Sequence, residues 1–440
     1  MAGTRMASEQ MHSARQGSPL DALRALVVVG LVFFHSALVF DTRDDYYVKN
    51  AQTTDLSLVA AVGVVWAMPL LFLVAGTAAW HSLQRRGTSG FARERLRRLL
   101  VPLVFATLTI IPLPQWLRLR AADPGYHETY PRFLRRFFQV HLDVTEFPFV
   151  VRGQYFETGH LWFIVLLLVF SYLLLPLFAW LLTEPRRQAI NGLLSPVRRR
   201  GVVLLGAVPI ATVSALLGLE EAFAAWSRWA YLLFFLYGFL IAAHEPTRAA
   251  MRRDAMVAAV LGVVLFIAAG AAFVLAGDRS LDPLTAMAPV AFVGRAVYGA
   301  AGWCWLVAIV GLLDRKRHPA REAGPSVPAA GPETVGPRRR WYAYLSEAVL
   351  PLYILHQPIV VAVAFGVVRW EAPIPVKYVA LVTASLVLTF TVYDLLVRRA
   401  PVTRFLFGLR PQPIPNPTPA QSEPGTDRPF ENHRTRRPLE

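Results

Sequence analysis

Cysteine is almost missing from this chain, and charge is scarce. The single cysteine, Cys304, lies inside an apolar run, which excludes both a disulfide and a thiolate metal site. Charged residues make up 17% of the 440 positions, against roughly 25% in a soluble domain. A Gly-x-Ser-x-Gly elbow, a Walker motif and a His-x-x-x-His pair are all absent, so no motif supports a serine hydrolase, an ATPase or a zinc peptidase. The N-terminus lacks the marks of a cleavable signal. Its first apolar run begins near residue 20, is long, and has no small-residue cleavage site after it.

What the chain has instead is apolar length. Hydrophobic residues are 55% of the total, mean hydropathy is +0.42, and uncharged runs of about 18 residues or more recur, enough to cross a hydrocarbon core. Runs of that kind exclude a membrane β-barrel, whose strands alternate over about ten residues. The expected fold is therefore all-α, a polytopic membrane helix bundle, because only helices satisfy their own backbone in lipid. Ten segments read as spans: 20–40, 56–80, 99–117, 160–182, 201–219, 226–244, 254–276, 289–313, 342–368 and 376–397.

The formal net charge of +16 would suggest a nucleic-acid partner were it not confined to alternate loops. Arg85, Arg86, Arg93, Arg95, Arg97 and Arg98 fill loop 81–98, and Arg186, Arg187, Arg198, Arg199 and Arg200 fill loop 183–200. Arg248, Arg252 and Arg253 follow, then Arg315 to Arg317 around Lys316, then Arg398, Arg399 and Arg404. Intervening loops carry Asp41, Asp44, Asp45, Asp55, Glu220, Glu221, Asp278 and Asp282. Positive-inside alternation of this kind predicts about ten transmembrane helices with both termini cytoplasmic, in the cell (plasma or inner) membrane. It divides the chain into a cytoplasmic tail 1–19, a membrane domain 20–400 with a cytoplasmic linker 314–341, and a Pro-rich disordered tail 401–440. The outer loop 118–159 is rich in aromatics, and Pro131–Val140 in it reads equally as an amphipathic helix on the membrane surface or as a lid.

Ionisable residues within spans are costly and mark function. Arg24 and His35 stand eleven residues apart on the first span, within about 20° of one helix face and about 16 Å apart along it. Arg24 alone reads equally as a snorkelling arginine, and His35 alone as a hydrogen-bonded core histidine. Their shared face favours a joint role.

Residues Leu20–Phe40 (LDALRALVVVGLVFFHSALVF) resemble the first span of the acyltransferase-3 family of integral-membrane O-acyltransferases, with its basic residue, ten residues and histidine matched by Arg24 and His35. Three further landmarks follow in the family's order. Arg95-x-x-Arg98 leads into the third span, Gly159-His160-Leu161-Trp162-Phe163 opens the fourth, and Tyr344-Leu345-Ser346 precedes Leu352-Tyr353-Ile354-Leu355-His356-Gln357-Pro358. Met68–Gly76 (MPLLFLVAG) and the His-Leu-Trp-Phe tetrad look most like the branch that includes the glucan-succinylating glucans biosynthesis protein C.

The resemblance implies an enzyme that uses cytoplasmic acyl-CoA as donor co-substrate, binds no permanent cofactor or metal, and acylates a hydroxyl on the outer side. The acceptor would be a carbohydrate or another envelope or secreted molecule. Membrane lipid is the surrounding partner, nucleic acid is not a partner, and the oligomeric state is open. His35 is then the general base, a role that suits a neutral imidazole, with Arg24 deeper along the donor path. Arg95 and Arg98 bind the CoA phosphates, although positive-inside topology alone also places arginines there. His160, Trp162, Arg295, Tyr353 and His356 are expected around the substrate. Each has a plainer reading: an interfacial aromatic belt for His160 and Trp162, and an inter-helix hydrogen bond for Tyr353 and His356. Arg295 would meet a substrate carboxylate if the acyl group were succinyl. The competing class is a transporter of a glycan, lipid or metabolite without acyl chemistry, told apart by the absence of CoA release.

Overall fold

The computed structural model describes residues 19–42, 46–315 and 337–410. Residues 1–18 of the expected N-terminal tail, 316–336 of the expected linker and 411–440 of the expected C-terminal tail lie outside the described residues.

The described chain is a helix bundle with one two-stranded hairpin. Helix α1 (Pro19–Leu38) is followed by α2 (Ser57–Arg95), a π-helical turn (Leu96–Leu100), α3 (Val101–Thr109) and α4 (Pro112–Ala122). The outer loop holds α5 (Tyr130–Phe137) and strands β1 (Val140–Leu142) and β2 (Val151–Gly153). Then come α6 (Trp162–Leu173), α7 (Leu175–Leu181), α8 (Glu184–Leu193), α9 (Ala207–Leu217), α10 (Arg228–Ala243) and α11 (Glu245–Asp278). The chain continues through α12 (Pro289–Arg315), α13 (Pro337–Val367), α14 (Ile374–Val392) and α15 (Pro401–Leu406).

Every expected span coincides with helical chain, and the lengths are uneven. Among the described residues six helices are long and apolar enough to cross a membrane, and the bent pair Gly159–Leu173 and Leu175–Leu181 makes a seventh. Ala22–Leu38 and Val202–Leu217 are apolar but shorter than that measure. The run Ala60–Ala122 counts as one of the six, yet its 63 residues would extend about 95 Å as a straight helix, three times a hydrocarbon core. It turns at Gly87, whose φ of 67° and ψ of −178° no neighbouring helical residue shares. Glycine meets that conformation without steric cost.

Two groups of packed helices make up the bundle. In one, α13 packs on α1, α14 and α4. In the other, α2 packs on α10 and α12, and α12 on α9 and α11. Close approach fixes the α2–α10 crossing: a Cβ on Gly76 would lie 2.0 Å from the Phe235 carbonyl, and one on Gly238 1.8 Å from that of Leu73. Small residues at such crossings replace the hydrophobic driving force that lipid does not supply. The outward faces are apolar. Met256, Val257, Val260, Val264 and Ile267 on α11 and Val376, Val379 and Val387 on α14 are exposed, as side chains bathed in hydrocarbon should be. The chain is a multi-pass membrane protein.

Acids near the arginine-rich ends are paired. Arg248 binds Asp314 through two 2.9 Å hydrogen bonds, Arg404 on α15 reaches Glu347 at 2.6 Å, and Asp394 accepts from Tyr344 at 3.1 Å. Residues 401–410 are thus folded onto the bundle rather than part of a loose tail.

In the outer loop the helix predicted over 131–140 forms as Tyr130–Phe137. Its apolar face is covered by protein: Phe133 and Phe137 are fully buried, with Tyr155 and Phe156 of the hairpin arm 6.0 and 5.4 Å away between ring centres. Outside the membrane, Glu128 accepts from the Tyr126 hydroxyl (2.6 Å) and from Arg136 (2.8 Å). The Tyr126 hydrogen bond, then Arg136, holds its carboxyl below the usual carboxylate range.

Candidate active site

Helix α13 contains two prolines, Pro351 and Pro358, and the second shapes the site. Proline has no N–H, so Pro358 leaves the carbonyl of Ile354 without its helical donor. The His160 imidazole takes that place, its Nε2 lying 3.1 Å from the Ile354 oxygen. A carbonyl only accepts, so Nε2 carries the hydrogen and Nδ1 the lone pair. One turn along, Nδ1 of His356 lies 2.6 Å from the carbonyl oxygen of Tyr353. By the same logic Nδ1 is the donor there and Nε2 holds the lone pair. The Tyr353 hydroxyl donates to the main-chain carbonyl of His160, and the His160 N–H donates to the Gln357 side chain at 3.2 Å. Four hydrogen bonds therefore fix two imidazoles, on chain segments nearly two hundred residues apart, in defined tautomers.

His35 joins them from α1. Its ring centre is 5.2 Å from that of His356, and His356 is 5.0 Å from His160. Tyr46, just past the end of α1, stacks on the other side of His35 at 5.7 Å. His356 is fully buried and His160 nearly so, whereas His35 is half-buried. Nδ1 of His35, Nδ1 of His160 and Nε2 of His356 are all buried with no hydrogen-bond partner among the described residues. Leaving such an atom unpaired costs about 1–3 kcal/mol, so three in one place mark a site shaped for something other than stability. Among the described residues no group of three His, Cys, Asp or Glu is arranged to hold a metal. Glu157 and His160 have a Glu-x-x-His spacing but part ways, Glu157 taking the Tyr47 hydroxyl at 2.5 Å.

At the other end of α1 the chemistry is opposite. Arg24 is an electrostatic neighbour of both Arg95 and Arg98. Pro102 sits in the first turn of α3 and cannot donate to Arg98, so the chain runs through a π-helical turn in which the Val101 N–H reaches back to Leu96. Turns of this kind recur at functional sites. Arg95 lies over the Phe91 ring at 4.9 Å, and Arg98 donates to the Gly408 carbonyl at 3.2 Å. Glu94 is shared between Arg86 at 3.0 Å and Arg98 at 3.6 Å, and it also accepts from Ser82 at 2.6 Å. Among the described residues three guanidinium groups, those of Arg86, Arg95 and Arg98, crowd this carboxylate. Arg95 and Arg98 are half-buried while Arg97 between them is exposed.

Of the expected site residues, His35, His160, Tyr353 and His356 come together, and so do Arg24, Arg95 and Arg98. Trp162 points elsewhere. It stacks on Tyr231 at 5.4 Å and meets Phe223 at 5.5 Å, inside an aromatic cluster with Phe72. Arg295 differs from expectation too. Fully buried, it donates to the carbonyls of Ala286 (2.7 Å), Ala215 (3.0 Å) and Pro283 (3.3 Å). Its terminal nitrogens thus tie the end of α9 to loop 282–287 instead of awaiting a substrate carboxylate. Tyr46 was missed by sequence reasoning. Nothing distinguishes it from Tyr47 and the other loop aromatics until the chain folds back on α1.

The family model described as an acyltransferase domain matches residues 19–397. No curated protein and no solved structure matches the chain. The matched stretch contains both ends of the site, and the chain belongs to the acyltransferase family.

Proposed function

We propose that this membrane acyltransferase takes an acetyl, succinyl or similar group from acyl-CoA at its arginine end and passes it to a hydroxyl at its histidine end. The acceptor is a carbohydrate or another envelope or secreted molecule. The observation that carries the reading is the division of α1, whose one end gathers Arg24, Arg95 and Arg98 and whose other end gathers His35, His356 and His160. The arginine end faces the cytoplasm, both termini lie there, and ten crossings thread the cell membrane, in keeping with the loop charges.

In this reading Arg95 and Arg98 clamp the CoA phosphates by charge-assisted hydrogen bonds, and Arg24 draws the donor inward. The two ends are about 16 Å apart along the helix, a gap that the extended phosphopantetheine arm bridges, bringing the thioester to the histidines. His35 takes the proton of the acceptor hydroxyl as its oxygen attacks the thioester carbonyl. The C–S bond breaks, the ester forms, and the proton ends on the CoA sulfur. His160 and Tyr353 border the acceptor side.

Purified protein in liposomes, given labelled acetyl-CoA or succinyl-CoA and neutral glycans extracted from cell envelopes, should release CoA and label the glycan. His35→Ala should fold and lose turnover. Wild-type turnover in that variant would remove His35 as the base, and a wild-type protein that releases no CoA would favour a transporter.

A further inference from the structure

We propose that Glu157 is a specificity-determining residue of this site, its carboxylate accepting a second hydroxyl of the acceptor while the first is acylated beside His35. The acceptor is then a neutral polyol, with at least two hydroxyls close together. The proposal rests on the acyl-transfer reading above and narrows its acceptor.

Two adjacent tyrosines carry the geometry. Tyr46 lies against His35 with ring centres 5.7 Å apart, and Tyr46 and Tyr47 meet edge to face at 5.5 Å. The Tyr47 hydroxyl donates to Oε1 of Glu157 at 2.5 Å. The same hydroxyl would stand 3.2 Å from a Cβ on Gly159, the residue before His160. The Tyr47–Glu157 pair therefore borders His160 on one side and reaches His35 through Tyr46 on the other. It also ties the loop after α1 to the segment that opens α6, so the carboxylate is held in place at the histidine end.

The bonding of that carboxylate is incomplete. A carboxylate only accepts, at about four lone-pair positions, and among the described residues Tyr47 is its one hydrogen-bond donor. Glu157 is partly exposed, whereas Tyr46 is buried, so a ligand can reach the remaining lone pairs. Burial raises this carboxyl, and the Tyr47 hydrogen bond and the Arg118 charge act against that. A further hydroxyl donor would act in the same direction. Sugar hydroxyls match the need: each donates one hydrogen, carries no charge and stands beside another. A single alcohol that reached His35 would leave the carboxylate unused.

Binding and turnover together test this. Wild type, Glu157→Ala and Glu157→Gln in liposomes are given labelled neutral glycan from cell envelopes, first alone to read binding and then with acetyl-CoA to read CoA release. Glu157→Ala should weaken glycan binding and raise the glycan KM about 10-fold or more, the loss of one charge-assisted hydrogen bond. Its kcat and acetyl-CoA KM should stay within about twofold of wild type, as removal of uniform binding predicts. Glu157→Gln, whose amide oxygen still accepts, should lose only about threefold, a neutral bond being roughly half as strong. Unchanged glycan binding in Glu157→Ala, or an equal change in kcat or acetyl-CoA KM, makes the pair a structural clamp and overturns the proposal. Wild-type protein that binds no glycan overturns it too. Wild-type protein that binds glycan but releases no CoA overturns the acyl-transfer reading, and the binding ratio still decides the role of the carboxylate. Should Glu157→Ala fail to fold, Glu157→Gln decides, and unchanged glycan binding in it overturns the proposal.

Discussion

At one end of α1, Arg24 stands among guanidinium groups that repel one another, with Glu94 shared between Arg86 and Arg98. At the other end, His35 stands among neutral rings whose hydrogens are bound to main-chain carbonyls. In the proposed function the first arrangement receives the phosphates of the donor through charge-assisted hydrogen bonds. The second is built from buried ring nitrogens that each lack a hydrogen-bond partner among the described residues. In the proposed function binding and proton transfer belong to different ends of one helix, and substitutions should then affect them differently.

The largest effect is expected at the neutral end. His35→Ala should lower kcat by 100-fold or more with the donor KM little changed, as steady-state CoA release would show. A matched fall in donor affinity would instead make His35 part of the binding surface. Arg95→Ala and Arg98→Ala should do the converse. Each removes a charge-assisted contact of about 1.5–3 kcal/mol, a donor KM rise of roughly 10- to 100-fold, with kcat retained and the effect blunted by salt. A kcat loss with unchanged KM would refute the division.

Pro358→Ala tests how the neutral end is held. The new N–H competes with His160 for the Ile354 carbonyl, so turnover should fall several-fold while the melting temperature holds or rises, the usual result of removing an interior helix proline. Unaltered turnover would mean that the His160 tautomer does not matter. Arg295→Met should leave kcat and both KM values near wild type but destabilise the protein by about 1–3 kcal/mol, since three carbonyls lose their donor. A selective loss with succinyl-CoA would restore Arg295 to the substrate site. Smallest of all is the outer loop. Glu128 is held below the ordinary carboxylate range by Tyr126 and Arg136, so its contribution is present above that range and is lost as pH falls through the lowered value. Glu128→Gln should remove that small contribution at neutral pH and flatten the acid limb of the melting curve, whereas a variant with unchanged neutral-pH stability and an unchanged acid limb would refute the assignment.

Much of this was readable in the sequence because hydropathy is local. Each apolar run became helix, and the eleven-residue interval from Arg24 to His35 had only one geometric meaning once α1 was a helix. The Arg95-x-x-Arg98 segment was likewise visible as a motif, although the π-helical turn at Leu96–Leu100 was not. The rest depended on contacts between distant segments. His160 and His356 were separate candidates, and the Ile354 carbonyl that joins them is freed by Pro358, a residue whose meaning depends on the partner that fills the gap. Arg295 misled for the same reason in reverse: a buried arginine on a span looks functional until loop 282–287 supplies carbonyls for it. Trp162 read as a neighbour of His160 because the two are close in sequence, but side chains two positions apart on a helix do not face each other, and these two join different clusters.

The account turns on α1 joining a cytoplasmic donor site to an acceptor site on the opposite side of the membrane. Sealed vesicles with the protein in one defined orientation, labelled acetyl-CoA on the arginine side and envelope glycan on the histidine side only, test this most directly. The account predicts labelled glycan on the histidine side and free CoA on the arginine side, both abolished in His35→Ala. Labelling only when donor and acceptor share one side of the membrane would contradict it.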